Sequence, residues 1–196
     1  MERHGFGRRE IDVKVSRKEI DNKLAGMGDY VKIDYLARCL KQTIDFDTRK
    51  FVLTKLGEIY GERGMYLEAA RMVAGGAEIN TTFQSKINDY MRAAELFVKG
   101  GGFDDADNVF NKAVACSNGL QKENIKTKRK EIYKAQARAY MQRDKRNQAL
   151  QTYEKLLSID LTPEEKREVQ STLLSLYEKL GKVKDYYALK RNMNLS

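Results

Sequence analysis

The chain has 196 residues, with 37 Lys+Arg against 28 Asp+Glu, a net charge of +9 and 41% apolar residues. That length suits one domain with a substantial core, and the balance of charged and apolar residues is that of a folded, water-facing chain. One His and two Cys exclude a Cys/His zinc cage, and a single Pro argues against a turn-rich β sandwich.

Residues 1–15 carry Arg8, Arg9, Glu10 and Asp12 where a signal peptide needs an apolar run, so no leader is expected. This stretch reads as a flexible basic N-terminal arm. Its alternation Ile11, Val13, Val15 would let it order as a strand on a partner. From residue 16 to 196 apolar residues recur at spacings of three and four, the period of amphipathic helices. The predicted helices are 17–25, 30–43, 48–63, 66–76, 82–99, 103–117, 121–143, 146–158, 163–180 and 183–193. Ser16 with Glu19 forms a capping box, and Thr162, Pro163 and Glu165 form a second with Pro at the first helical position. Gly28, Gly64, Gly101 and Gly181 mark stops, and Gly75-Gly76 reads as a further helix end. Short links pair consecutive helices as antiparallel neighbours. No stretch approaches a membrane span.

The pairs repeat. Counting from Gly57, the third, seventh, ninth and twelfth residues onward are Tyr60, Gly64, Tyr66 and Ala69. The same offsets from Ala94 give Phe97, Gly101, Phe103 and Ala106, with Phe110 at the sixteenth. From Ala137 they give Tyr140 and Ala149, with Tyr153 at the sixteenth; from Leu174, Tyr177, Gly181 and Val183. Leu24, Gly28 and Tyr30 make a degenerate first copy. The markers Leu24, Tyr60, Phe97, Tyr140 and Tyr177 stand 36, 37, 43 and 37 residues apart. A small residue lets the second helix approach the first, an aromatic fills the wedge between them, and stacked pairs then bury one continuous core.

These residues resemble the tetratricopeptide repeat family, whose period is about 34 residues. The intervals are longer, and in that the pairs look like the helical sheet of soluble NSF-attachment proteins. The resemblance implies an all-α, right-handed solenoid of about five antiparallel helix pairs. It implies a non-catalytic adaptor that holds a partner protein segment in a concave groove, with no cofactor. It places Thr54, Glu58, Asn88, Met91, Glu95, Lys134, Arg138, Ser171 and Ser175 on that concave surface. Some members clamp a chaperone's C-terminal carboxylate with Lys, Asn, Lys and Arg. The matching places here hold Thr54 and Glu58, then Lys134 and Arg138, so that clamp is not expected.

No enzyme constellation emerges. His4 has no partner in sequence reach. Gly100-Gly101-Gly102 lacks the Lys-Ser/Thr of a phosphate loop and follows no strand, so it reads as a helix end and turn. Asp104, Asp105 and Asp107 open a helix, where they complement its dipole. A calcium loop would need Glu at the twelfth place, which is Ala115. Cys39 and Cys116 read as reduced thiols of a cytoplasmic protein.

Charge is uneven. Residues 120–146 hold ten basic residues against three acidic ones, whereas residues 47–118 hold nine against ten. Lys126, Lys130, Lys134 and Arg138 recur every four residues and form one stripe along helix 121–143. With Lys122, Lys128 and Arg129 they make a candidate basic patch. Together with the arm, the patch supports an alternative function in which RNA, a ribosome or another anionic surface is the partner. Tyr186, Tyr187, Leu189 and Met193 on the last helix leave a face that a second copy could cover in a homodimer.

Overall fold

A computed structural model describes residues 16–194. Among them are ten α-helices and no strand: α1 (Arg17–Leu24), α2 (Asp29–Leu40), α3 (Phe46–Glu62), α4 (Tyr66–Glu78), α5 (Phe83–Gly100), α6 (Phe103–Ala115), α7 (Gly119–Gln142), α8 (Arg146–Leu157), α9 (Pro163–Lys179) and α10 (Val183–Asn194). The arm of residues 1–15, with His4 and the alternation at Ile11, Val13 and Val15, lies outside the described residues.

Caps set the helix starts. Both expected boxes form: Ser16 Oγ accepts from Glu19 N, and Thr162 Oγ1 accepts from Glu165 N. A third is Asn118 with Gln121, which starts α7 two residues earlier than the apolar pattern indicates. Asp45 and Thr82 cap α3 and α5 through Thr48 N and Ser85 N. Stops at Gly64, Gly101 and Gly181 take positive φ, as expected. Gly28 does not end α1. Gly26 takes the positive φ there, and Gly28 caps α2 in an extended conformation. Gly75 and Gly76 do not end a helix either; α4 runs through them to Glu78. Leu53 of α3 lies against Gly75, so tertiary packing offsets the low helix propensity of glycine.

The repeat offset that places Gly64 and Gly101 falls on Asp144 in the third copy, and Asp144 takes φ 53°. A non-glycine residue pays for that backbone in sterics, though Asp tolerates it better than most. Asp144→Gly should therefore be neutral or stabilising by up to about 1 kcal/mol, read by urea unfolding. A loss larger than that would mean the Arg146 Nε bond to Asp144 Oδ1, 2.8 Å, matters more than the turn geometry.

From α2 onward consecutive helices pack in sequence, and first helices of neighbouring pairs also touch, α5 on α7 and α1 on α3. The small residues expected at the crossings, Ala69, Ala106 and Ala149, are fully buried. Tyr140 and Tyr177 are core residues, and Tyr60 is half-buried against the core. The buried residues fall into two groups. One cluster joins Ile20, Leu36, Cys39, Val52 and Leu56 of α1 to α3, and a larger one runs from Ala70 of α4 to Tyr177 of α9. The two meet where α3 packs on α4, with Val73 and Met72 against Gly57 and Leu53 against Gly75.

Polar contacts follow the repeat. Arg63 meets Asp29 and Lys112 meets Glu78 at a sequence separation of 34; Gln121 meets Gln84 at 37 and Lys130 meets Glu165 at 35. The last three join equivalent helices of neighbouring pairs, whereas Arg63 and Asp29 join the consecutive helices α3 and α2.

Candidate functional site

A solvent-open groove of about 400 Å³ lies between α5 and α7. Val98, Ile132, Ala135 and Ala139 form its apolar floor, and Glu95, Lys99 and Glu131 its charged rim. The rim is ordered in part by the pair of Lys99 Nζ with Glu95 Oε1, 2.7 Å. The floor exists because α7 presents small residues, Ala135 and Ala139, one turn apart where α5 crosses. A second pocket of about 640 Å³ adjoins it at the turn edge, sharing Lys99, Gln136 and Ala139. Tyr140 closes the boundary, its hydroxyl donating to the Lys99 carbonyl at 3.0 Å.

Of the nine residues expected on a concave surface, Glu95 lines this groove. Asn88 and Met91 stand on α5 before it, Asn88 exposed and Met91 half-buried against the core. Thr54 is exposed and donates to the Lys50 carbonyl, 2.9 Å. Glu58 lines a separate pocket with Asp21, Lys32 and Glu62. Ser171 and Ser175 lie on α9, exposed and half-buried. Lys134 and Arg138 turn toward α9 instead of the groove, reaching Glu165 at 2.8 Å and Glu168 at 3.6 Å.

That turn decides the state of the basic stripe. Lys126 pairs with Glu123 at 2.8 Å, which raises its pKa, and Lys130 pairs with Glu165 at 3.0 Å. Glu165 thus accepts from Lys134, from the Thr162 backbone N–H and from Lys130, and these bonds hold its carboxyl at a pKa of about 2. Arg129 pairs with Asp107 at 2.6 Å; Lys155 takes the other oxygen at 2.6 Å, and Tyr133 OH lies 3.3 Å away. Asp107 therefore ties α6, α7 and α8 together rather than serving the α6 dipole. Lys122 and Lys128 are exposed with no carboxylate partner among the described residues. In the stretch 120–146 four basic side chains have none: these two, Arg143 and Lys145.

The groove floor and the turn-edge residues Lys99, Gln136, Gln148 and Gln151 were not foreseen from sequence. Sequence does hold a signal for the α7–α9 pairing. First helices one repeat apart lie side by side, so a basic residue on α7 should meet the residue about one repeat onward, which for Lys130 is Glu165.

The packing defines an all-α protein of sequential helix pairs, with no helix among the described residues long and apolar enough to cross a membrane. No protein-family model and no curated protein matches the sequence. Among solved structures, the crystal structure of BtubC (BKLC) from P. vanneervenii is similar at 15% identity, covering 90% of this chain and 78% of that one with a TM-score of 0.35. At so low a TM-score the helix-pair description stands on this chain's own packing.

Proposed function

We propose that this protein is a non-catalytic scaffold that holds a segment of a partner protein, and that the α5–α7 groove is where it does so. The observation that supports this reading is the apolar floor open to solvent between two first helices, framed by charged residues. A segment laid there buries apolar side chains against Ala135 and Ile132 while its backbone stays within reach of Glu95, Lys99 and Gln136. Cys39 and Cys116 are both free thiols, which suits work in the cytoplasm.

The test is a pull-down with the full chain and with Ala135→Arg, each split and half treated with nuclease. Ala135 is exposed, so the arginine fills the groove without disturbing the core. A discrete set of proteins that survives nuclease and is lost with Ala135→Arg is the expected result. The same set retained by both proteins would count against the groove.

The second reading, RNA or another anionic surface, rests on Lys122, Lys128, Arg143 and Lys145, the cations of the stretch without a carboxylate. Binding of that kind would fall steeply with salt and be released by nuclease. A homodimer through α10 would cover Val183 and Tyr187, which are 61% and 60% exposed.

A further inference from the structure

The stretch 120–146 has ten basic residues, but the fold uses six of them against its own carboxylates. Of the four that remain, Lys122 and Lys128 stand in the first half of α7, and Arg143 and Lys145 at the turn that follows it. Arg143 and Lys145, two of the four unpartnered cations, converge with Lys99 on the pocket at the turn edge. Gln136, Gln148 and Gln151 add amides to its wall, and no carboxylate among the described residues lines it. Asp144 stands between the two cations in sequence, yet its left-handed backbone takes it out of the wall, and Arg146 holds its carboxylate. Glu95, on the adjoining groove, is bonded to Lys99 at 2.7 Å. A pocket of about 640 Å³ with three cations, three amides and no acid is complementary to negative charge.

The pocket is continuous with the apolar groove through Lys99, Gln136 and Ala139. We infer that the partner segment is an acidic one: its apolar side chains lie between α5 and α7, and a flanking cluster of Asp or Glu side chains enters the pocket bounded by Lys99, Arg143 and Lys145. This rests on the groove being the binding site. Charge complementarity selects the acidic partner over a second copy of this chain, which is itself strongly basic.

The experiment pans a display library of short random peptides against the full chain, then measures the enriched peptides by fluorescence anisotropy. Two double variants carry the same charge change: Arg143→Glu with Lys145→Glu in the pocket, and Lys122→Glu with Lys128→Glu outside it. All four side chains are exposed, so circular dichroism should be unchanged. The inference expects peptides with apolar residues next to Asp or Glu, at least about tenfold weaker binding to the pocket variant, and less than about twofold change for the outer variant. Ala135→Arg should also abolish binding. Enriched peptides that lack acidic residues, or that both charge variants weaken equally, overturn the inference and leave the groove reading in place. Failure to enrich any peptide that Ala135→Arg displaces overturns both.

Discussion

Replacing Glu165 with glutamine should cost about 1–2 kcal/mol at neutral pH, and the cost should vanish in acid. Glu165 is the meeting point of two half-buried lysines on α7 and the N-terminal cap of α9. Glutamine can still accept from the Thr162 N–H, but it leaves Lys130 and Lys134 without their carboxylate. Half-buried cations stripped of a partner are destabilising. The pH dependence has a definite sign. The folded carboxyl has a pKa of about 2, below its ordinary value of 4.5. Its contribution is therefore full above the ordinary value and is lost as pH falls from there through about 2. Urea unfolding of the two proteins at pH 7, 4 and 2 checks this. The curves should be well separated at pH 7 and should converge at the lowest pH. A gap that persists unchanged in acid would show that the carboxylate charge is not what holds α7 to α9.

Gly100→Ala and Gly76→Ala should move stability in opposite directions. A Cβ on Gly100 would stand 2.7 Å from Leu67 Cδ2, 2.9 Å from its Cγ and 3.2 Å from its backbone nitrogen. The side chain can turn aside, but the backbone of α4 cannot. Overpacking of this kind costs about 1–3 kcal/mol. A Cβ on Gly76, inside α4, meets nothing within 4 Å. There alanine only restricts the unfolded chain and favours the helix, a gain of about 0.5–1 kcal/mol. Circular dichroism during urea unfolding reads both. If Gly100→Ala is as stable as the wild type, α4 and the end of α5 are not in fixed contact, and the edge that forms the turn-edge pocket loses its support.

The groove reading and the acidic-segment inference stand on different observations. The first needs the apolar floor between α5 and α7. The second needs the matching of Lys130, Lys134, Arg138 and Arg129 to carboxylates, which leaves Arg143 and Lys145 as the cations that line a pocket without a carboxylate partner among the described residues.

Local order was legible in the sequence. The ten helices, the boxes at Ser16 and Thr162, the stops at Gly64, Gly101 and Gly181, and the buried Ala69, Ala106 and Ala149 all follow from short-range rules. Capping, handedness and apolar period act within a few residues, so a single chain displays them. Gly75-Gly76 misled because propensity favours a stop there, and only contact with Leu53 of α3 carries the helix onward. The basic residues stand in a row along α7, but their carboxylate partner is hidden in the sequence, because Glu165 looks like a cap from within its own turn. The groove and the turn-edge pocket belong to tertiary structure alone. Their walls come from segments far apart in the chain, such as the turn at Gly64 and the helix that carries Gln148, and which side chains meet there depends on how far one repeat is displaced from the next.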